Sequence, residues 1–242
     1  MKRFLNLSSS ESIDLHRSIY KNAIRIKRDA EVIISNRKSF SSATSLLILS
    51  SEEVVKATLV FLHSENYNIY KLKDAKKFFS DHRIRHQISQ LIEMSISIYE
   101  TSTIWEGRKK KPKVFNSKSN FWNNVVNGFF DIVEASKPLV NSIDRVNLLQ
   151  EFNNIKNKGL YVDFKDELFT PQIDVQDEIY YKVKEVVDRV FKFYKIIQIL
   201  HHPNFENRYP EENVGQLKKD LRLFIDDAMK EIDFEKLKKL KV

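Results

Sequence analysis

At 242 residues, 42% of them hydrophobic and 31% charged, the chain is long and apolar enough to form a globular protein with a sizeable core. It has no cysteine, which excludes disulfides, thiolate zinc sites and a cysteine nucleophile, and its 4 glycines and 5 prolines are too few for an all-β fold. The net charge of +8 favours polyanionic partners such as RNA, but it equally fits a solubilising charge balance.

Hydrophobic periodicity predicts an all-α protein with several long helices. The predicted helices cover residues 12–37, 41–62, 72–79, 81–99, 121–155 with an interruption at Pro138, 174–200 and 211–232. The first two are joined by a short polar link and are expected to form an antiparallel helical hairpin. Residues 101–120 are predicted to form an exposed loop, Gly159 to stop a helix, and residues 160–164 to be extended.

The chain is expected to form one helical domain over residues 1–170, with the C-terminal helices of 171–242 packed on it as an extension. No run approaches the roughly 18 apolar residues of a membrane-spanning helix. Residues 1–12 have a basic start but lack the apolar core of a signal peptide. The sequence therefore predicts a cytoplasmic protein with no membrane partner.

Three polar clusters carry the candidate chemistry, and the first lies in the second predicted helix. Glu52 and Glu53 precede Lys56 at helical spacing, so either carboxylate can pair with the lysine. Glu53 lies on the stripe expected to face the core, where a carboxylate needs partners to offset its desolvation. The alternative interpretation is a plain surface ion pair.

The second cluster opens the helix predicted from residue 81. Asp81 suits the N-terminus of that helix, because a carboxylate there complements the helix dipole. His82, Arg85 and His86 share one helical face, where two histidines beside a guanidinium form a candidate phosphate site with a titratable base. A helix cap followed by solvated histidines would explain the same residues.

The third cluster follows the helix predicted to end near residue 155. Lys158 lies at the helix end, and Tyr161 and Asp163 follow the turn at Gly159. The tyrosine offers a ring for stacking a nucleobase and a phenol for hydrogen bonding. A capped helix end followed by a packed aromatic residue is the alternative interpretation.

Basic residues are concentrated in the predicted loop, at Arg108, Lys109, Lys110 and Lys111. Such a segment can guide RNA towards a site. His201 and His202 resemble a metal pair, but neighbouring helical positions point apart and no further ligand lies at suitable spacing. No metal site and no cofactor are therefore expected.

Four sequence elements follow one another along the chain: Asn22-Ala23, Ser51-Glu52-Glu53-Val54-Val55-Lys56-Ala57, Phe79-Ser80-Asp81-His82 and Lys158-Gly159-Leu160-Tyr161-Val162-Asp163. That succession resembles the AbiV family of abortive-infection proteins over about residues 12–165. The Gly-Leu-Tyr-Val-Asp element is the most specific part of the match, and the Glu-Glu-x-x-Lys element is the second.

The resemblance implies a HEPN fold, a helical bundle that usually forms homodimers, in a protein of phage defence. Many relatives are metal-independent endoribonuclease toxins, in which a base helps the RNA 2′-hydroxyl attack the adjacent phosphate and cations stabilise the developing charge. The usual HEPN signature, an arginine and a histidine separated by four to six residues, does not occur in this sequence. The Lys-Gly-Leu-Tyr-Val-Asp element is expected to take its place.

The first hypothesis is thus a toxin that cleaves cellular RNA and arrests growth on infection, with a phage-encoded activator as a further partner. Its expected catalytic residues are Glu53, Asp81, His82, Lys158 and Tyr161, and its expected RNA-binding residues are Lys56, Arg85, His86, Asp163, Arg108, Lys109, Lys110 and Lys111. The second hypothesis is a non-catalytic dimeric module that binds RNA or a phage protein. Polar groups at core-facing positions argue against the third, a purely structural helical protein.

Overall fold

Apart from one short β-hairpin, the regular structure of the described residues is helical. The computed structural model describes residues 3–109, 141–208, 214–223 and 225. The helices are α1 (Ser9–Ser12), α2 (Leu15–Arg37), α3 (Phe40–Ser64), α4 (Ala75–Ser80), α5 (His82–Lys109), α6 (described over 141–158), α7 (Pro171–Asp174), α8 (Asp177–Leu200), α9 (Pro203–Arg208) and α10 (Val214–Leu223). Strands β1 (Asp163–Lys165) and β2 (Glu167–Phe169) pair antiparallel, and single 3-10 turns form at Phe4–Asn6 and Ile69–Lys71. The prediction of an all-α bundle is confirmed.

Helix α3 is the centre of the bundle. Of its 25 residues, 17 are buried, because α2 and α8 both pack along it. Lys38 adopts a left-handed conformation with φ of 51° and turns the chain between α2 and α3, so the expected helical hairpin is present. Helix α8 packs on α3 and buries Val183, Val187, Val190 and Tyr194 at helical spacing. Among the described residues, no helix combines the length and apolarity needed to cross a membrane.

The predicted loop over residues 101–120 is wrong at its beginning. Helix α5 continues without a break to Lys109, because polar residues alone do not end a helix and the first proline of the segment is Pro112. Lys110 and Lys111 lie outside the described residues, as does the helix predicted for 121–137. The helix predicted for 174–200 is α8, which begins three residues later than expected, at Asp177, after the short helix α7. The helix predicted for 211–232 is described only over α10.

Gly159 follows the last residue of α6, and its role is steric. A Cβ atom there would lie 2.3 Å from Ser45 Oγ and 2.6 Å from the carbonyl oxygen of Ser41, both on α3. The glycine does not adopt a positive φ, so a left-handed cap is not the reason for its presence. Ser45 Oγ donates to the carbonyl oxygen of Lys156 at 2.9 Å across the same contact. The missing side chain therefore allows the end of α6 to lie directly on α3.

A buried histidine joins α2 to α8. His16, 3% exposed, shares a hydrogen bond of 2.7 Å between its Nδ1 and the hydroxyl of Tyr194. Burial, together with the nearby charge of Arg17, lowers the pKa of His16 from 6.5 to about 4. The imidazole is therefore neutral in the folded protein at physiological pH.

This burial predicts a pH-dependent stability. A histidine with a lowered folded pKa stabilises the protein above its unfolded pKa of 6.5, and that contribution is lost as the pH falls towards 4. Between these pH values, we expect the free energy of unfolding to fall by about 2 kcal/mol more in wild type than in His16→Gln, after an allowance for solvent screening. Urea denaturation at several pH values measures it. His202→Gln, at an exposed histidine after α8, is the control and is expected to keep the wild-type slope, whereas an unchanged slope in His16→Gln would contradict the assignment.

Candidate functional site

Four basic side chains from two helices converge on one buried carboxylate. Glu52, in the middle of α3, is 2% exposed. Its Oε1 accepts hydrogen bonds from Lys156 Nζ at 3.0 Å and from His86 Nε2 at 3.2 Å. Its Oε2 accepts from Arg85 Nη2 at 2.9 Å and from His82 Nδ1 in a short contact. We call these five residues the Glu52 cluster; it ties α3 to α5 and α6.

The sequence positions these groups through helix geometry. Positions 82, 85 and 86 recur at the spacing of neighbouring residues on one helical face, so a single turn of α5 presents all three side chains to α3. Asp81 starts that helix, because its Oδ1 accepts the backbone N–H of Arg83 at 2.9 Å. On the other side, the close contact at Gly159 holds the last turn of α6 against α3 and so fixes Lys156.

Electrostatics keep Glu52 ionised. Burial alone would raise its pKa, but hydrogen bonds from His86 and Arg85 and the charge of Lys156 outweigh burial and hold the pKa far below its ordinary value of 4.5. Burial lowers the pKa of His86, which lies between two permanent cations. A neutral His86 still donates its Nε2–H to the carboxylate. The cluster therefore has one carboxylate and two permanent cations at neutral pH.

His82 connects the cluster to solvent. Its side chain is 50% exposed, whereas Arg85 and His86 are both 4% exposed. The ring lines an open cleft of about 450 Å³, together with Lys77, Ser80, Asp81, Arg83 and Asn153. Nδ1 also lies 2.9 Å from Arg85 Nη2, but the carboxylate is the partner that accepts its proton. This contact leaves Nε2 of His82 as the nitrogen that can accept a proton from a ligand.

The structure brings Asp81, His82, Arg85 and His86 together, but it corrects the choice of carboxylate. Glu53 does not face the core: its side chain is 21% exposed, forms a short ion pair with Lys56 and accepts from Asn22 Nδ2 at 3.3 Å. Neighbouring helical positions differ by about 100° in direction, and it is Glu52 that points inwards. Glu53 and Lys56 therefore form a separate contact between α2 and α3.

The residues predicted beyond α6 lie elsewhere. Lys158 is two residues after Lys156, which is more than half a turn around the helix, and its Nζ lies 4.7 Å from the centroid of the Phe169 ring. Tyr161 is 65% exposed, and Asp163 belongs to β1, where its Oδ1 accepts the backbone N–H of Phe164. Neither of these two contacts joins the Glu52 cluster. Arg108 and Lys109 end α5, a long way along that helix from His82.

Lys156 is the residue that the sequence analysis missed. It follows Leu149 and Phe152 at core spacing, and both of these side chains are fully buried. A lysine on an apolar helical stripe needs a buried anion, and Glu52 follows Ile48 on α3 in the same way. Two opposite charges on two apolar stripes were the signal that could have identified the pair.

The described residues form a helical bundle in which the Glu52 cluster joins the central helix α3 to α5 and α6. A family model described as AbiV, within the HEPN group, matches residues 11–192. The chain therefore belongs to the AbiV family of HEPN proteins, and its function is of the abortive-infection type. No curated protein and no solved structure matches the chain.

Proposed function

We propose that this protein is an endoribonuclease of phage defence, with His82 as its general base and Glu52 as the group that orients it. The observation that carries the proposal is the contact between a half-exposed histidine and a fully buried, ionised carboxylate at the edge of a cleft. In enzymes, a carboxylate in this position fixes the tautomer of an imidazole and stabilises the imidazolium that forms during the reaction. RNA is the substrate proposed from family membership and from the basic net charge.

The proposed reaction uses the 2′-hydroxyl of the substrate as its nucleophile. His82 Nε2 takes the hydroxyl proton, and the 2′-oxygen forms a bond to the adjacent phosphorus. The bond from phosphorus to the 5′-oxygen breaks, that oxygen takes a proton from water, and the imidazolium of His82 returns its proton to the hydroxide that remains. The products are a 2′,3′-cyclic phosphate and a free 5′-hydroxyl. Among the described residues, no group of three or more histidine or acidic side chains is arranged to hold a metal ion.

Cations around the cleft favour a phosphate ligand. Lys77 and Arg83 line it together with Asp81, and Lys77 also forms an ion pair with Asp74 at 3.4 Å. Behind His82, Arg85 and Lys156 exceed the charge of Glu52 by one unit. A phosphodiester in the cleft is therefore surrounded by a net positive charge, which also stabilises the charge that develops on the phosphate in the transition state. The catalytic roles of Lys158 and Tyr161 and the RNA-binding role of Asp163 remain predictions from the family resemblance.

Purified protein is expected to cleave RNA in EDTA, and His82→Ala is expected to lower the cleavage rate about 10²–10⁴-fold, the usual contribution of a general base. Cleavage is measured on a labelled oligonucleotide, with and without extract from phage-infected cells to supply an activator. The matched control is His202→Ala, which removes an exposed histidine after α8. A substrate with a 2′-deoxy group at the cleaved position is expected to resist.

Three outcomes would count against the proposal. Equal cleavage by wild type and His82→Ala would remove His82 from the reaction. RNA that binds to the wild type under every condition but is never cut would instead favour the non-catalytic module. Growth arrest on expression that survives His82→Ala would point to the same alternative, because toxicity would then arise without the proposed base.

A further inference from the structure

A second and larger cleft lies where α2 begins and where α3 and α8 end. Its volume is about 890 Å³, within the range of clefts that hold small organic ligands. Apolar side chains from four helices or their ends form much of its wall, namely Ile13, Phe61, Ile199 and Phe205. We call it the His16 cleft, after the buried histidine that lines it. The described residues that line it include no member of the Glu52 cluster.

His16 presents a hydrogen-bond donor to this cleft. The hydroxyl of Tyr194 is fully buried, and among the described residues its one hydrogen-bond partner is Nδ1 of His16. The phenol therefore donates its proton to Nδ1, because a protonated Nδ1 would leave the phenol proton without an acceptor. The neutral imidazole then carries its single proton on Nε2. This N–H has no partner in the described part of the chain, although His16 is only 3% exposed, so an oxygen atom of a ligand in the cleft would satisfy it.

The same corner of the cleft favours negative charge. Helix α2 begins here, and the side chain of its N-cap residue, Asp14, forms no capping hydrogen bond with the first N–H groups of the helix. Burial first, and then the charge of Arg17, lower the pKa of His16, so the guanidinium charge acts at the same imidazole. The last carbonyls of α3 and α8, which would disfavour an anion, already accept hydrogen bonds from the backbone N–H groups that follow each helix.

We propose that the His16 cleft binds a small organic monocarboxylate with an apolar body. The carboxylate group accepts the Nε2–H of His16 and pairs with Arg17. The apolar body lies against Phe61 and Ile199. The ring of Phe61 packs edge to face on the imidazole of His16, with 4.9 Å between the ring centroids, so apolar surface begins directly beside the polar group.

The charges of the cleft select a carboxylate rather than a phosphate ester. Arg17 and Lys195 line the cleft together with Glu65, which leaves a net charge of one positive unit. A monocarboxylate balances that charge, whereas a phosphate monoester carries about −1.5 to −2 at neutral pH. Arg17 also pairs with Asp14 at 3.3 Å, but both side chains are largely exposed, and such a pair is weak enough for the guanidinium to turn towards a ligand.

A chain-length series tests the proposal. Acetate, butyrate, hexanoate and octanoate are each titrated into the purified full chain at pH 7, without RNA, and binding is followed by isothermal titration calorimetry. Affinity is expected to rise about fourfold for each methylene that becomes buried. Octylamine has a similar apolar body and the opposite charge, and it is expected to bind at least about tenfold more weakly than octanoate.

Two arginines of α2 provide matched variants. Arg17 and Arg25 have side chains that are 65% and 66% exposed, and each pairs with an aspartate nearby in sequence, but Arg17 lines this cleft and Arg25 does not. Arg17→Gln is expected to weaken octanoate binding about tenfold through loss of a charge-assisted hydrogen bond, whereas Arg25→Gln leaves it unchanged. Ile199→Trp, at a position that is 53% exposed, is expected to abolish binding because the larger side chain fills the apolar part of the cleft.

Nuclear magnetic resonance checks the position of the carboxylate. Octanoate is expected to shift the ring signals of His16, assigned by their loss in His16→Gln, and to leave those of His63 in place, since His63 does not line the cleft. Wild type that binds no member of the series would overturn the inference, and so would equal binding of octanoate and octylamine. Octanoate binding that survives Arg17→Gln or Ile199→Trp in folded protein, as verified by circular dichroism, would also overturn it. None of these measurements depends on the proposed cleavage reaction.

Discussion

Glu52→Gln is expected to lower the free energy of unfolding by about 3–5 kcal/mol, because it leaves buried cations without their anion. Arg85 and Lys156, 4% and 7% exposed, both direct their charges at this carboxylate. Glutamine has the same shape, so the loss reports charge rather than packing. Chemical denaturation at pH 7, followed by circular dichroism, measures the effect.

Glu53→Gln is the matched control, since it makes the same change one residue later. Its ion pair with Lys56 is partly exposed, and such pairs contribute about 0–1 kcal/mol. The lowered pKa of Glu52 adds a second signature. Its stabilising contribution is fully present above the unfolded value of 4.5 and is lost progressively as the pH falls below it, so the difference between wild type and Glu52→Gln should shrink steadily below pH 4.5. Equal losses for the two variants would show that the cluster does not depend on a buried charge.

The positions of the long helices could be predicted because their apolar periodicity is strong. Which side chains of α3 face which neighbouring helix could not be predicted. A helix with a polar face shows which side is buried, but α3 is buried at 17 of its 25 positions and has no such face. The sequence pattern therefore did not distinguish Glu52 from Glu53. Only the contacts made by α5 and α6 decide between them, and those contacts are far apart in sequence.

The choice of Lys158 over Lys156 has a different physical origin. The resemblance drew attention to the Lys-Gly-Leu-Tyr-Val-Asp element, but the helix geometry before Gly159 turns Lys156 inwards and Lys158 outwards. The hairpin was equally hidden. Its strands are too short to show a clear alternation of apolar and polar residues. The turn residue Asp166 has a φ of 63°, a conformation usually adopted by glycine, so the sequence carries no glycine signal for this turn.

A second buried carboxylate predicts a second large effect. Glu93 of α5 is 1% exposed; its Oε1 accepts from Arg145 Nε at 2.6 Å, and its Oε2 accepts from Arg189 Nε at 2.7 Å. Arg189 continues the network with a bidentate contact to Glu100, at 3.1 Å for each hydrogen bond. Glu93 thus joins α5, α6 and α8 in the same way as Glu52 joins α3, α5 and α6.

Glu93→Leu is expected to lower the free energy of unfolding by about 3 kcal/mol, because two partly buried guanidinium groups lose their shared anion. Glu185→Leu is the control: its side chain is 62% exposed and lies 3.4 Å from Arg145, so its loss should stay within about 0.5 kcal/mol. Replacing Glu93, Arg145 and Arg189 together by leucine should recover most of the stability, since apolar groups can substitute for a complete buried ion network. Chemical denaturation compares the four proteins.

RNA cleavage measured on folded protein should distinguish the Glu52 cluster from the network around Glu93. Glu93 has no described contact with His82, so Glu93→Leu should retain wild-type RNA cleavage at a temperature where it is fully folded. Glu52→Gln should lose RNA cleavage, because the imidazole of His82 no longer has the carboxylate that orients it. If folded Glu93→Leu lost RNA cleavage in proportion to its loss of unfolding free energy, the two networks along α5 would act together, and the Glu52 cluster would not be a distinct site. A triple leucine variant that stayed as unstable as Glu93→Leu would show that the arginines hold α6 and α8 through more than this carboxylate.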